Sequence, residues 1–461
     1  MRYISTRGGA PEAGFVDILL AGLAPDGGLY MPAAWPAFSP DEIAAFAGRP
    51  YPEVAADILG RFAGDEIDPE TLNRICARAY AGFSHPAVAP LVQLAPDRFL
   101  LELFRGPTLA FKDVAMQVLG GLFEHALALR GRTMTIVAAT SGDTGGAAAA
   151  AFAHLAGVRL VILFPDGRVS DVQRRFMTTT GADNVRCVAV DGDFDACQAI
   201  LKSLFADTDF ARETELTAVN SINFVRIAAQ SVYYFTAAAA LGAPARKTAF
   251  AVPTGNFGDA FAGWAAQRMG LPVERIVVAT NANDIVARAF TRGVYRRGET
   301  IPTQSPAMDI QVSSNFERLF FEASGRDAAR TAAAFETFAA TGEIVLPQDV
   351  GAAIGEVFEG RAIGETAALE AMRRTFEVTG ELIDPHTAVA LAGADAAAPL
   401  PAGVPMVVLS TAHPAKFPEA SLAAGLAPDT ARADSLGRLP ERFDKLPAET
   451  EAVKAYVRGR P

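Results

Sequence analysis

Cysteine is scarce in this chain, with three residues among 461: Cys76, Cys187 and Cys197. The total is odd and no CxxC pair occurs, which argues against a disulfide framework or a structural zinc site and fits a reducing cytosol. Histidine is scarce as well. His85, His125, His154, His386 and His413 are scattered with no HExxH-type pair, so metal catalysis has little support, and each reads as a surface or core histidine. Positive charge is short: 41 Lys and Arg face 52 Asp and Glu, a formal net charge of −11. That balance argues against a general attraction to nucleic acid or anionic membrane, so any anionic ligand needs a local site. Long hydrophobic runs are missing too. The most apolar stretch, 145–164, is broken by His154, Gly157 and Arg159 and reads as a helix followed by a strand rather than a membrane span. The opening MRYISTRGGAPEAGF has no signal-peptide character, so the expected location is cytoplasmic.

What is present describes a folded globular chain: half the residues are apolar and 20% charged. The length suggests about three domains. Residues 1–95 carry turn-rich pieces such as GLAPDGGLYMP and a helical stretch at 69–81, and read as a separate N-terminal domain. From Phe99 onward strands and helices alternate. Strands are expected at 133–139, 159–164, 184–190, 248–252, 275–280 and 406–409, with helices at 147–156, 170–180, 193–205 and 260–269 between them. Such alternation implies right-handed crossovers and a parallel sheet. The expected division is an N-terminal domain 1–95, a small α/β domain 133–240, and a large domain made of 96–132 and 241–461. Residues 294–380 read as a helical elaboration outside the sheet, and the chain from about Pro440 as a surface segment.

Parallel sheets bind ligands at the carboxyl ends of their strands. Three loops that follow expected strands are rich in small polar residues: ATSGDTGG (139–146), PTGNFGD (253–259) and STAHP (410–414). One such loop alone could be an ordinary tight turn; three in one chain point to a site. PTGNFGD lies between a strand and a helix start, so its amides and the helix N-terminus form an anion site, and Gly255 and Gly258 let the backbone close on a phosphate. No GxxxxGK[ST] occurs and GNFGD is not GxGxxG, which favours a single phosphate on a small cofactor over a nucleotide. In RGPTLAFKDVAMQVLGG, Phe111, Val114, Ala115, Val118 and Leu122 recur at helical spacing, and Lys112 opens that helix beside the apolar stripe. A partly desolvated lysine has a depressed pKa and can act as an amine nucleophile. The alternative is a solvated lysine paired with Asp113.

GPTLAFKDVA, ATSGDTGG, PTGNFGD and STAHPAKF, in this order, resemble the threonine synthases among the fold type II pyridoxal 5′-phosphate (PLP) enzymes. GLAPDGGLYMP and NSINFVRIAAQ extend the resemblance over nearly the whole chain. The resemblance implies two open, mainly parallel α/β domains with helices on both faces plus a small N-terminal domain. It implies that Lys112 carries PLP as a Schiff base, that Gly255, Asn256, Phe257, Gly258 and Asp259 hold the PLP phosphate largely through backbone amides, and that Thr411 faces the pyridine nitrogen. Thr140, Ser141, Asp143 and Thr144 match the loop that grips the substrate carboxylate and faces the phenolic oxygen, where many relatives carry Asn in place of Asp143. Ser221, Asn223 and Arg226 are the leading candidates for a second phosphate, with Lys416 next, because a guanidinium holds phosphate bidentately. The implied reaction converts O-phospho-L-homoserine and water to L-threonine and phosphate in a monomer or homodimer with no nucleic-acid or membrane partner. The competing readings are a serine or threonine dehydratase, which needs no second phosphate site, and a non-catalytic metabolite-binding protein.

Overall fold

The computed structural model describes residues 1–459 apart from 141 and 218–220, and only the backbone of 432 and 433. Two sheets organise it. The larger has six strands in the order Phe358–Ala362, Val273–Thr280, Thr248–Pro253, Met406–Ser410, Arg98–Glu102 and Leu91–Ala95. All its pairings are parallel except the last, in which Leu91–Ala95 runs antiparallel to Arg98–Glu102. The smaller sheet is all parallel: Asp444–Pro447, Val185–Asp191, Val158–Pro165, Met134–Ala139 and Leu216–Thr217.

Central strands such as TAFAVP and MVVLS are buried at every residue, because helices cover both faces and the strands must be apolar on both. Helices Asp143–Phe152, Gly258–Arg268 and Pro385–Ala396 pack directly on the strands, with Lys112–Arg130 against the first and Phe224–Ala240 against the second of them. The mixed α/β architecture with parallel sheets expected from the alternation is therefore present, and the expected strands recur within one or two residues of their bounds.

Two stretches differ from the sequence reading. Residues 294–380 are not wholly outside the sheet, since Phe358–Ala362 pairs with Val273–Thr280 as an edge strand, and Val294–Arg296 and Glu343–Val345 form an antiparallel pair. Nor is the chain after Pro440 only a surface segment, because Asp444–Pro447 pairs with Val185–Asp191 and extends the smaller sheet. Both strands are short and carry charged, partly exposed residues, as edge strands do, and a buried-run criterion passes over them.

The N-terminal region is tied to the site through aromatic packing. Phe224 sits with its ring centroid 5.5 Å from both Tyr3 and Phe62 and 6.1 Å from Trp35. Asn223 caps the same helix, accepting the Val225 amide at 3.0 Å while its Nδ2 donates to Leu19 O at 2.9 Å. The first turn of the Phe224–Ala240 helix is thus fixed by residues 1–63.

Candidate active site

A cleft of about 670 Å³, its open mouth included, is lined from both sheets by loops that follow strands. Asp143 and Thr144 come from the loop after Met134–Ala139, Gly255, Asn256, Gly258 and Asp259 from the loop after Thr248–Pro253, and Thr411 from the loop after Met406–Ser410. Lys112, Ser221 and Arg226 complete the convergence.

Lys112 is the first residue of its helix, and the turn before it is built around Asp113. The Asp113 carboxylate accepts the Thr108 amide at 2.7 Å and the Thr108 hydroxyl at 2.6 Å. A Cβ at Gly106 would lie 2.4 Å from Asp113 Cβ, so that approach requires glycine. Asp113 is therefore spent on its own turn and does not pair with Lys112. Leu109 in the same turn takes φ 59°, a left-handed conformation that costs a branched residue about 1 kcal/mol or more. It is held from the other side, where Leu109 O accepts the His413 amide at 3.1 Å and Thr411 O accepts the Phe111 amide at 2.8 Å. The Thr411 loop and the Lys112 turn are in this way one hydrogen-bonded unit.

The carboxylate nearest Lys112 is Asp143, with Oδ2 3.5 Å from Nζ. Asp143 Oδ1 receives Lys416 Nζ at 2.7 Å and Gln173 Nε2 at 3.0 Å. Burial alone would raise the Asp143 carboxyl, but the Lys416 and Lys112 charges overcome it and hold the group well below the usual carboxylate range. Burial lowers the Lys112 amine; Asp143 opposes this, and Lys416 and Arg226 add to it.

The PTGNFGD loop is clamped from behind. Ser313 Oγ donates to Gly255 O at 2.8 Å, and Asn315 Nδ2 donates to Asn256 O at 3.0 Å and to Ser221 O at 3.1 Å. A Cβ on Gly255 would meet Ala307 O at 2.9 Å, so the loop and residues 307–310 close on each other only because no side chain intervenes. Phe257 adopts φ 62° and opens the Gly258–Arg268 helix, whose first N–H groups have no intrahelical acceptor. The Asp259 carboxyl is pushed up to about 7 by burial.

Arg226 is buried, and among the described residues neither Nε nor Nη1 has a hydrogen-bond partner. Burial without a counter-charge pushes its guanidinium down to about 10. A buried, unpaired cation in a cleft wall is costly unless an anion visits.

The cleft gathers ten of the residues singled out from sequence: Lys112, Asp143, Thr144, Ser221, Arg226, Gly255, Asn256, Gly258, Asp259 and Thr411. Others lie apart. The Thr140 hydroxyl accepts the Gly142 and Gly145 amides, both at 3.0 Å, and so caps the helix instead of facing a ligand. Asn223 is likewise a helix cap. The Phe257 side chain turns into the core against Phe290 and Phe358, leaving its backbone as the part available to the loop. Ser141 falls outside the described residues. Lys416 is buried, its ammonium taken by Asp143 and by Thr108 O at 2.8 Å, which removes it as a second phosphate donor. Sequence reasoning missed Gln230, Ala307, Met308 and His386, all of which line the cleft. Gln230 carried a usable signal, standing one helical turn after Arg226 in NSINFVRIAAQ; the other three carried none.

A buried amine, a neutral hydroxyl and a glycine-lined helix N-terminus form a donor set for a phosphorylated aromatic aldehyde. Comparison with known proteins agrees. Residues 2–80 match the family described as threonine synthase N terminus, 88–355 the family of pyridoxal-phosphate dependent enzymes, and 387–457 the C-terminal part of threonine synthase. The threonine synthase of Pseudomonas aeruginosa is 47% identical over the full length of both chains. The crystal structure of PLP-bound threonine synthase from Brucella melitensis superposes with a TM-score of 0.96 at 48% identity, covering 100% of this chain and 99% of that one. Threonine synthase from yeast gives 0.94 at 34% identity, covering 99% and 98%. The chain belongs to the threonine synthase family of PLP-dependent enzymes.

Proposed function

We propose that this enzyme converts O-phospho-L-homoserine and water to L-threonine and phosphate, the last step of threonine biosynthesis, in the cytoplasm. The observation that supports the reading is Arg226: a buried guanidinium whose Nε and Nη1 have no hydrogen-bond partner among the described residues, in the same cleft as Lys112 and on a different helix from the one the PTGNFGD loop opens. A dehydratase needs a phosphate-binding place only for its cofactor; Arg226 is read as the cation of a second, for the substrate.

The residues present fit PLP, with Lys112 to hold its aldehyde, the 255–259 loop its phosphate and the Thr411 hydroxyl its ring nitrogen. When bound, PLP supplies a sink for the carbanion charge that develops on the substrate carbons. A hydroxyl at the ring nitrogen would, unlike a carboxylate, not hold it protonated. Lys112, freed as an amine, takes the Cα proton of the substrate and carries protons at Cα and Cβ as general base and acid. Arg226, with the Ser221 end of its helix, holds the substrate γ-phosphate through binding and departure. The Thr144 hydroxyl and the first turn of the Asp143–Phe152 helix receive the substrate carboxylate. Asp143, held at short range by Lys416, keeps the cleft wall beside Lys112 charged. Water adding at Cβ completes threonine.

The three cysteines are buried and unpaired, as a reducing compartment requires, and no helix among the described residues is long and apolar enough to cross a membrane. A small-molecule substrate and a monomeric or homodimeric state complete the proposal. It is tested by incubating the purified protein with O-phospho-L-homoserine or with threonine and assaying phosphate and 2-oxobutanoate separately. Phosphate with threonine supports a synthase; 2-oxobutanoate from threonine supports a dehydratase.

A further inference from the structure

Two lysines share one buried carboxylate at the seam between the sheets. Asp143, Gln173 and Phe176 belong to the smaller-sheet side, and Lys112, Thr108 and Lys416 to the larger. Lys416 is 1% exposed, lies 2.7 Å from Asp143 Oδ1 and 2.8 Å from the Thr108 carbonyl, and stands 5.1 Å over the Phe176 ring. Lys112 reaches the other oxygen of Asp143 only at 3.5 Å.

We propose that Lys416 is a positioning residue for the reaction: by taking the Asp143 carboxylate at short range, it leaves the Lys112 amine without a carboxylate of its own and so available in the uncharged form. The inference rests on Lys112 being the reactive amine. A lone Asp143 beside Lys112 would make a buried ion pair, and a paired ammonium has no lone pair for an aldehyde or a proton. With Lys416 in place the two ammoniums compete for one negative charge, and the nearer one wins. The other charges around Lys112 do not restore a private partner: Arg226 is a cation, Asp259 is pushed towards its neutral form, Asp113 is turned to Thr108, and His386 faces Asp384 and Ala307. Lys416 also holds the carbonyl of Thr108, whose amide and hydroxyl cap Asp113, so the same ammonium fixes the turn that aims Lys112.

The test uses the full chain freed of cofactor. Lys112 is labelled with a small amine-directed reagent at a series of pH values, and its modification is read by peptide mass spectrometry. In Lys416→Met the pH of half-maximal labelling should rise by about 1 unit or more, and in Lys416→Arg it should stay near wild type. Lys416→Gln keeps donors for Asp143 and Thr108 without the charge, should shift as Lys416→Met does, and carries the test if the methionine variant fails to fold. The acid limb of kcat, which reports the complex in which Lys112 is freed as an amine, should move in the same direction. An unchanged labelling midpoint in the uncharged variants overturns the inference, and if PLP still attaches to Lys112 in them the proposed function stands. PLP attaching to another lysine in the wild-type protein overturns the reading of the site itself.

Discussion

His386 accepts the Ala307 amide on Nε2 at 3.2 Å and faces Asp384 Oδ2 with Nδ1 at 2.7 Å. The pair fixes the proton on Nδ1 and turns the ring into a bracket between the Pro385–Ala396 helix and residues 305–310, which press against Gly255. His386 therefore supports the segment that backs Gly255, the proposed phosphate end of the site. His386→Ala should weaken PLP binding about 10-fold, equivalent to about 1.4 kcal/mol, while kcat at saturating PLP changes little. Equilibrium dialysis against PLP checks it.

Arg226 sets function against stability. Its Nε and Nη1 are buried without partners among the described residues, so removing the guanidinium should raise the KM for O-phospho-L-homoserine about 10- to 100-fold, the range of one charge-assisted contact to phosphate. The same change to methionine should stabilise the substrate-free chain by about 1 kcal/mol, because an uncompensated buried charge is replaced by an apolar side chain. Steady-state kinetics and urea unfolding of Arg226→Met read the two effects, which should have opposite signs.

Asp259 gives a pH dependence whose direction is fixed. Burial pushes its carboxyl from 3.8 up to about 7 in the folded chain. Between those values the folded state holds a proton that the unfolded state has lost, so this group's contribution to stability is full at acid pH and falls as pH rises through about 7. In the cofactor-free chain, Asp259→Asn should flatten that decline. Thermal unfolding between pH 4 and 8, compared with wild type, measures it.

Gly255→Ala tests the close approach behind the loop. The added Cβ would meet the Ala307 carbonyl at 2.9 Å, and backbone on both sides must shift. Loss of PLP affinity with the larger sheet still folded is expected; absorbance of bound PLP and circular dichroism read the two.

Much of this site was legible because its parts are contiguous. Lys112 and its apolar stripe, the glycine loop and Thr411 each lie within one short segment at a strand end or helix start, and local pattern places such segments correctly. The strands were legible for the same reason, being continuous apolar runs. What local pattern hides is partnership at long range. Asp113 looked like the partner of Lys112 because it is adjacent, yet a helical neighbour points elsewhere, and Asp143 and Lys416, distant in sequence, hold the cleft instead. His386 read as an ordinary histidine because its meaning comes from Asp384 on one nitrogen and Ala307 on the other. Thr140 and Asn223 were polar residues in the right loops whose side chains the backbone had already claimed as caps.

Lys112 is the residue on which the proposed chemistry turns. Reducing the PLP-loaded protein with borohydride, digesting it and locating the cofactor mass by peptide sequencing should place PLP on the peptide containing Lys112, and Lys112→Ala should lose both the label and turnover while remaining folded. PLP found on a different lysine, or a Lys112→Ala protein with wild-type turnover, would contradict the assignment.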